Sequence, residues 1–344
     1  MHDFEDTARR ALTAARAGAK VLVVRNTVDH AVKTQQALEE RAEAGDAGLL
    51  FDVEGIPTLQ TLHHGRFAAC DRALLDKRIE NLLGKERQPG GRVVVGTQTL
   101  EQSLDIDADL LITDLSPVDV LLQRIGRLHR HKNNNPNRPR DYAKPTCVVL
   151  TPPDGLAPLL KSGQNPNGLG PHGGVYGSLS ILEATRRLID EHPEWRIPEM
   201  NRLLVERATH PEALNAITEE MGEDWKEHAI KTEGGEIADK QHARGHTVKR
   251  DKSFFHDNRD VLFVSDEEKI RTRLGDDRID IALDPPQPSP FDALNSIDKL
   301  AVSVRWLPDG DAPESVTPSP TDGGFTFAIG DRRFVYDRLG LRRA

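Results

Sequence analysis

GRVVVGTQTLEQSLDIDADLLITDLSPVDVLLQRIGRLHR, Gly91 to Arg130, holds two short apolar runs, RVVVG and DLLITDL, with the polar turn TLEQSLD between them and a helical pattern after Pro117. Short runs of Val, Ile and Leu bounded by turn residues read as buried strands. Strand, turn, strand and helix then follow in order, and the same alternation extends outward. KVLVVRN precedes the helical TVDHAVKTQQALEERAEAG, PTLQTLHH precedes FAACDRALLDKRIENLLG, and PTCVVLTP closes the series. Five apolar strands joined by helices predict a parallel sheet covered on both faces, with functional residues in loops at the strands' carboxyl ends.

At about 100° per residue, Val118, Leu121, Leu122, Ile125 and Leu128 share one stripe of the final helix, and Gln123, Arg124, Arg127 and Arg130 share the opposite arc. The stripe is expected to face the sheet and the arginines to face outward together. Gly126, placed mid-helix by this reading, costs about 1 kcal/mol relative to alanine and suggests a close approach there.

The texture changes after Leu150. TPPDGLAPLLKSGQNPNGLGPHGGVYG is too rich in glycine, proline and asparagine for one regular element. Amphipathic helical segments follow from about Ser178, and from roughly Arg271 short strand-like runs return between proline-rich breaks. The expected organisation is residues 1–150 as an α/β domain, 151–270 as a loop-rich and helical connector, and 271–344 as a small β-rich domain.

The chain has 344 residues and a formal charge of -9, yet residues 1–150 balance at 21 basic against 21 acidic, so all excess acid lies beyond. A nucleic-acid partner must be met by local patches. One lies between Gln123 and Lys144, with seven basic residues and the single acid Asp141. Two cysteines form no paired framework and no long apolar run opens the chain, which predicts a cytoplasmic protein without a membrane partner. His63 with His64, and His129 with His131, lack cysteine or acidic companions at metal-ligand spacing, so no metal site is expected.

QRIGRLHR resembles motif VI, Q-R-x-G-R-x-x-R, of superfamily 2 helicases. VLVVRNTV resembles motif IV, TLHHGRF motif IVa, and VVVGTQTLEQSLDIDADLLITDLSP motif V, in the family's order. Together with LLQRIGRLHRH and the tail segments TRLGDDRIDIAL, SPFDALNSIDKLAV and VYDRLGL, they are most similar to the CRISPR-associated helicase-nuclease of type I interference systems. The resemblance implies a second RecA-like motor domain followed by that family's C-terminal domain. Arg127 and Arg130 would be the arginine fingers and Gln123 a γ-phosphate sensor. Arg124 would hold motif VI to motif V through an acid such as Asp105, which reads equally well as a turn or cap residue. Asn26, Thr27, His64, Arg66, Thr97 and Gln98 would hold phosphates of one DNA strand.

The sequence contains no G-x-x-x-x-G-K-[ST] phosphate loop and no D-E-x-H acid pair, so it carries half of an ATP site. ATP and Mg²⁺ are therefore expected only when a first RecA-like domain is supplied. The implied partners are single-stranded DNA, a first motor domain and HD nuclease on another chain, and the CRISPR surveillance complex. The alternative is a non-catalytic binding remnant of a split or truncated helicase.

Overall fold

The computed structural model describes residues 3–344 apart from 52–55, 57–58, 102–103, 162–166, 172–173, 246–277 and 308–311. The connector's last stretch, 246–270, and the expected first residues of the tail, 271–277, thus lie outside the described residues.

Five parallel strands form the first sheet: β1 (Lys20–Val24), β2 (Leu62–His63), β3 (Arg92–Gly96), β4 (Leu110–Asp114) and β5 (Thr146–Leu150), in the order β2-β3-β1-β4-β5. The Val and Leu runs are buried on both faces because alternate residues meet different helices. Val21 and Val23 pack with Ala8, Ala11 and Leu12 of α1 (Phe4–Arg16) and with Ala31 and Leu38 of α2 (Val28–Arg41). Leu22 and Val24 pack with Ile79, Leu82 and Leu83 of the other face's helix. A four-residue helix, α3 (Ala47–Leu50), precedes that helix, α4 (Ala69–Leu83). The Thr27 hydroxyl accepts the His30 N–H at 3.2 Å and so caps α2, an interaction worth about 1 kcal/mol.

The arginine-bearing helix α5 (Val118–Ile125) is shorter than its pattern predicts. Gly126 is its C-cap, with φ -60° and its N–H bonded to Leu122 O at 2.9 Å; it does not sit mid-helix. The apolar stripe is shared rather than given wholly to the sheet. Val118 and Leu122 join the connector helices, while Ile125 and Leu128 reach the sheet core.

The connector folds as α6 (Leu179–Glu191), α7 (Asn201–Thr209), α8 (Pro211–Met221) and α9 (Glu223–Gly245). Two small sheets follow. The first comprises β6 (Arg278–Pro288), β7 (Ser296–Ser303) and β8 (Ser315–Val316); the second comprises β9 (Ser319–Thr321), β10 (Gly324–Ile329), β11 (Arg332–Asp337) and β12 (Gly340–Arg343). Their shared core, with Phe325, Phe334 and Tyr336, takes in Ala68 from the α/β domain, while Phe291 and Leu339 enter the α/β core in return. A buried carboxylate rivets this joint. Asp71 accepts from Ser289 Oγ and from Tyr336 Oη, both at 2.5 Å, and Ala68 N–H donates to Tyr336 Oη at 2.9 Å. Burial raises the Asp71 carboxyl above the usual carboxylate range, against those hydrogen bonds.

Candidate nucleotide-facing and strand-facing edge

The segments that leave the carboxyl ends of β1, β3 and β4 converge on Arg124. This side chain is fully buried in the last turn of α5. Its Nε donates to Glu101 Oε1 at 2.7 Å. Nη1 donates to Thr113 Oγ1 at 2.8 Å and Asp114 O at 3.1 Å, and Nη2 to Asn26 Oδ1 at 3.2 Å and Tyr176 Oη at 3.1 Å. A guanidinium has five N–H donors, and here each has an acceptor. Arg124 is therefore a structural hub rather than part of an outward arginine row. Its carboxylate partner is Glu101, which corrects the expectation of Asp105.

Asn26 is corrected for the same reason. Its Nδ2 donates to Leu115 O at 2.9 Å, its N–H to Asp114 Oδ2 at 2.8 Å, and its backbone oxygen accepts Gln98 Nε2 at 2.9 Å. With Oδ1 on Arg124, each of its hydrogen-bonding groups is engaged inside the protein. Gly168, at φ +71°, lies over this corner so closely that an added Cβ would stand 3.1 Å from Asn26 Cβ and 3.0 Å from Thr27 Cγ2. Thr97 is also buried, its N–H on His63 O at 3.2 Å. Thr27 and Gln98 stay half-exposed.

His64 and Arg66 are drawn into the joint with the tail. His64 is wholly buried and stacked on Phe67 at 4.3 Å; its Nε2 donates to Leu339 O at 3.2 Å and its Nδ1 accepts the Arg66 N–H at 3.2 Å. Gly340, at φ +76°, leaves no room for a Cβ beside the imidazole. A strand-holding role for His64 is thus replaced by a packing role. The Arg66 guanidinium lies 4.4 Å over the Trp306 ring and donates to Asp29 Oδ1 at 2.6 Å. Burial, then the Arg66 and His63 charges, hold the His64 imidazole well below its usual titration range.

That depression fixes a pH dependence. Above the ordinary histidine value of 6.5 both folded and unfolded His64 are neutral. Below it only the unfolded chain takes the proton, so stability falls as the pH drops. His64→Phe should start about 1 kcal/mol less stable at pH 7.5 through the lost bond to Leu339, yet decline less steeply toward pH 5. Thermal midpoints of both proteins across that range check the prediction.

Arg127 and Arg130 lie not on the helix but in an extended segment beyond it. Ala108 N–H donates to Arg127 O at 2.8 Å and His129 N–H to Ala108 O at 3.0 Å, a bridge that forces His129 to φ 50°. Such a left-handed non-glycine residue costs about 1 to 2 kcal/mol and throws successive side chains to different sides. Arg127 is half-buried, with Nη2 on Glu101 O at 2.5 Å and a buried Nε that meets no acceptor. Burial and the neighbouring Arg130 charge lower the pKa of its guanidinium. Arg130 is exposed, its Nε on Asp105 Oδ1 at 2.8 Å and its N–H on Asp107 Oδ1 at 2.8 Å. Asp105 also meets His131 Nε2 at 3.1 Å, so two basic neighbours outweigh its slight burial and hold its carboxyl low. Gln123 is exposed one turn before Arg127.

The basic patch from Gln123 to Lys144 shrinks accordingly. Arg124 is internal, and Arg138 is consumed by Asp107 at 2.8 Å and by Asp109. Sequence reading missed Arg25, fully buried with Nε on Asp114 Oδ2 at 3.1 Å and Nη1 on Thr34 Oγ1 at 3.0 Å. Its place directly after an apolar strand was the available signal. Among the described residues no three His, Cys, Asp or Glu side chains gather where a metal could sit, and no helix is long and apolar enough to cross a membrane.

The family described as CRISPR-associated nuclease/helicase Cas3, C-terminal, matches residues 17–133, which span all of these segments. Residues 17–133 carry a Cas3-like C-terminal helicase region. Its relatives include the CRISPR-associated endonuclease/helicase Cas3 of Escherichia coli K12, 35% identical over 183 residues, or 53% of this chain and 18% of the relative. The Cas3 of Thermus thermophilus is 43% identical over 123 residues, 36% of this chain and 13% of that one. The chain therefore spans less than a fifth of these relatives' length. In fold, it matches the crystal structure of T. fusca Cas3-AMPPNP with TM-score 0.69 and 23% identity, covering 99% of this chain and 40% of that one. A chain from a CRISPR RNA-guided surveillance complex, pre-nicking, matches with TM-score 0.66 and 22% identity, covering 99% and 42%.

Proposed function

We propose that this chain is the second motor half of an ATP-dependent single-stranded DNA translocase acting in CRISPR interference, and that it works only against a first RecA-like domain. The observation that carries the reading is the half-buried Arg127, whose buried Nε has no partner, on the same segment as the exposed Gln123 and Arg130. A nucleoside triphosphate held by the first domain supplies the phosphoryl group. Facing it, Arg127 and Arg130 place fixed positive charge against the developing negative charge, and Gln123 offers an amide to the terminal oxygens. This chain provides no phosphate loop and no acid pair for magnesium, so those groups belong to the other domain. The half-exposed Thr27, Arg66 and Gln98 border the strand-facing side, where polar contacts to phosphates position a strand without reading its sequence. Association with an HD nuclease and with the surveillance complex follows from the family and is part of the same proposal.

The isolated chain is expected to hydrolyse no ATP above background, with or without single-stranded DNA. Supplying a first motor domain in trans should restore DNA-stimulated phosphate release. Turnover by the purified chain alone would refute the half-site reading, and no recovery with a folded, ATP-binding partner domain would favour a non-catalytic remnant.

A further inference from the structure

The loop between β2 and α4, His64 to Ala68, is held by the tail at successive points. His64 bonds to Leu339 O, Gly65 O accepts the Arg278 guanidinium, Arg66 O accepts Leu341 N–H at 3.0 Å, and Ala68 N–H reaches Tyr336 Oη. The side chain at the centre of this loop has two further contacts of opposite character. The Arg66 guanidinium sits 4.4 Å over the ring of Trp306, which ends a 3₁₀ turn (Val304–Trp306) and packs on the tail core 6.2 Å from Phe334. Its Nη1 donates to Oδ1 of Asp29, in the first turn of α2, at 2.6 Å. A guanidinium has five N–H donors, and Asp29 is the side chain's one acceptor among the described residues. The pair is open to solvent: the Arg66 side chain is 19% exposed and that of Asp29 67%.

The two contacts do different work. A ring beneath a guanidinium holds the cation in place and engages none of its N–H donors, which stay open to an oxyanion. A carboxylate takes the same donors that a phosphate would take, and takes them weakly when it is this exposed. We propose that Trp306 is a positioning residue that holds Arg66 for a backbone phosphate of the bound strand, and that Asp29 is a built-in stand-in for that phosphate, displaced when the strand arrives. This rests on the strand-facing reading of Arg66 and adds to it a part for the tail, which acts on the strand through one ring and needs no basic surface of its own. Exchanging one oxyanion for another at a fixed cation keeps the Arg66 charge paired throughout, which suits a strand that must be gripped and released in turn.

A fluorescently labelled single-stranded oligonucleotide is titrated into the full chain at several salt concentrations. Arg66→Ala should weaken binding about tenfold and reduce the slope of log affinity against log salt by about 0.7, the share of one phosphate on a single strand. Trp306→Leu should weaken binding about fivefold, with Trp306→Phe recovering most of the loss, whereas Asp29→Asn should tighten it about threefold. Contacts that merely glued the tail to the α/β domain would weaken binding on loss of either partner. By NMR of the unmutated chain, the Asp29 carboxyl carbon should shift on strand addition, while the Arg66 Nε–H keeps the ring-current displacement that Trp306→Leu abolishes. If the full chain binds no strand, or Arg66→Ala binds it equally well, the strand-facing reading falls and this inference with it. If Arg66→Ala weakens binding but Trp306→Leu and Asp29→Asn do not move it in opposite directions, this inference alone is overturned. Should Trp306→Leu lose the wild-type melting transition, the direction of change in Asp29→Asn, an exposed position, decides by itself.

Discussion

Arg127→Ala, in a motor reassembled from this chain and a first RecA-like domain, is expected to lower DNA-stimulated ATP hydrolysis about 10³-fold, and Arg130→Ala similarly, while affinity for single-stranded DNA hardly changes. The size follows from removing a fixed cation from a transferring phosphoryl group, where no water can replace it at equal cost. Arg130 carries a specific signature because its guanidinium rests on the exposed Asp105. Asp105→Asn frees Arg130 without deleting it, so hydrolysis should survive in that variant and fail in Arg130→Ala. If both arginines served only as a basic surface for DNA, their removal would instead weaken strand binding in a salt-dependent way and spare turnover at saturating DNA. Hydrolysis at saturating ATP and titration of a labelled strand, on proteins with matched melting transitions, decide between them.

Arg124→Met should act on folding instead. It strands Glu101 without its cation and leaves Thr113, Asp114, Asn26 and Tyr176 each short of a donor. Breaking a buried pair in this way costs about 3 to 5 kcal/mol. In a chain of this size that corresponds to a fall of about 10 °C in the melting midpoint. Arg124→Lys should recover little, since an ammonium offers three donors from one point where five in a plane are required. A melting midpoint within a degree or two of the unmutated protein would show that the hub is dispensable. Circular dichroism melts of the three proteins measure it.

The parallel sheet was readable because its Val and Leu runs are local signals, and all five predicted strands occur. Of the arginines placed on the outward arc, Arg130 is exposed and Arg127 is half-buried against Glu101. Arg124 was misread by the same helical wheel, which knows spacing but not neighbours. The wheel also assumed a helix running through Gly126, whereas the backbone closes there and Arg127 to Arg130 follow a bridge to Ala108. Asn26 and His64 failed for a third reason: what covers them is remote. Asn26 meets Arg124, 98 residues on, and His64 meets Leu339, 275 residues on. Nothing in the sequence around either position announces such a partner. His64 has the further disguise of a polar sequence context, while its imidazole spends its two nitrogens on backbone groups.

The hydroxyl of Tyr176 bears on how this protein can be cut and recombined. It is the one acceptor of Arg124 that comes from beyond Leu150, and its ring packs with Leu115, Val120 and Leu179. A graft of the α/β domain that stopped at the last strand of its sheet would carry an arginine with a missing ligand and an uncovered apolar floor. The transplantable unit therefore reaches through Glu191, the end of the helix that Tyr176 precedes. Chimeras joined after that helix should express as soluble, foldable modules, whereas those joined at the sheet's edge should need a surrogate tyrosine from their new host.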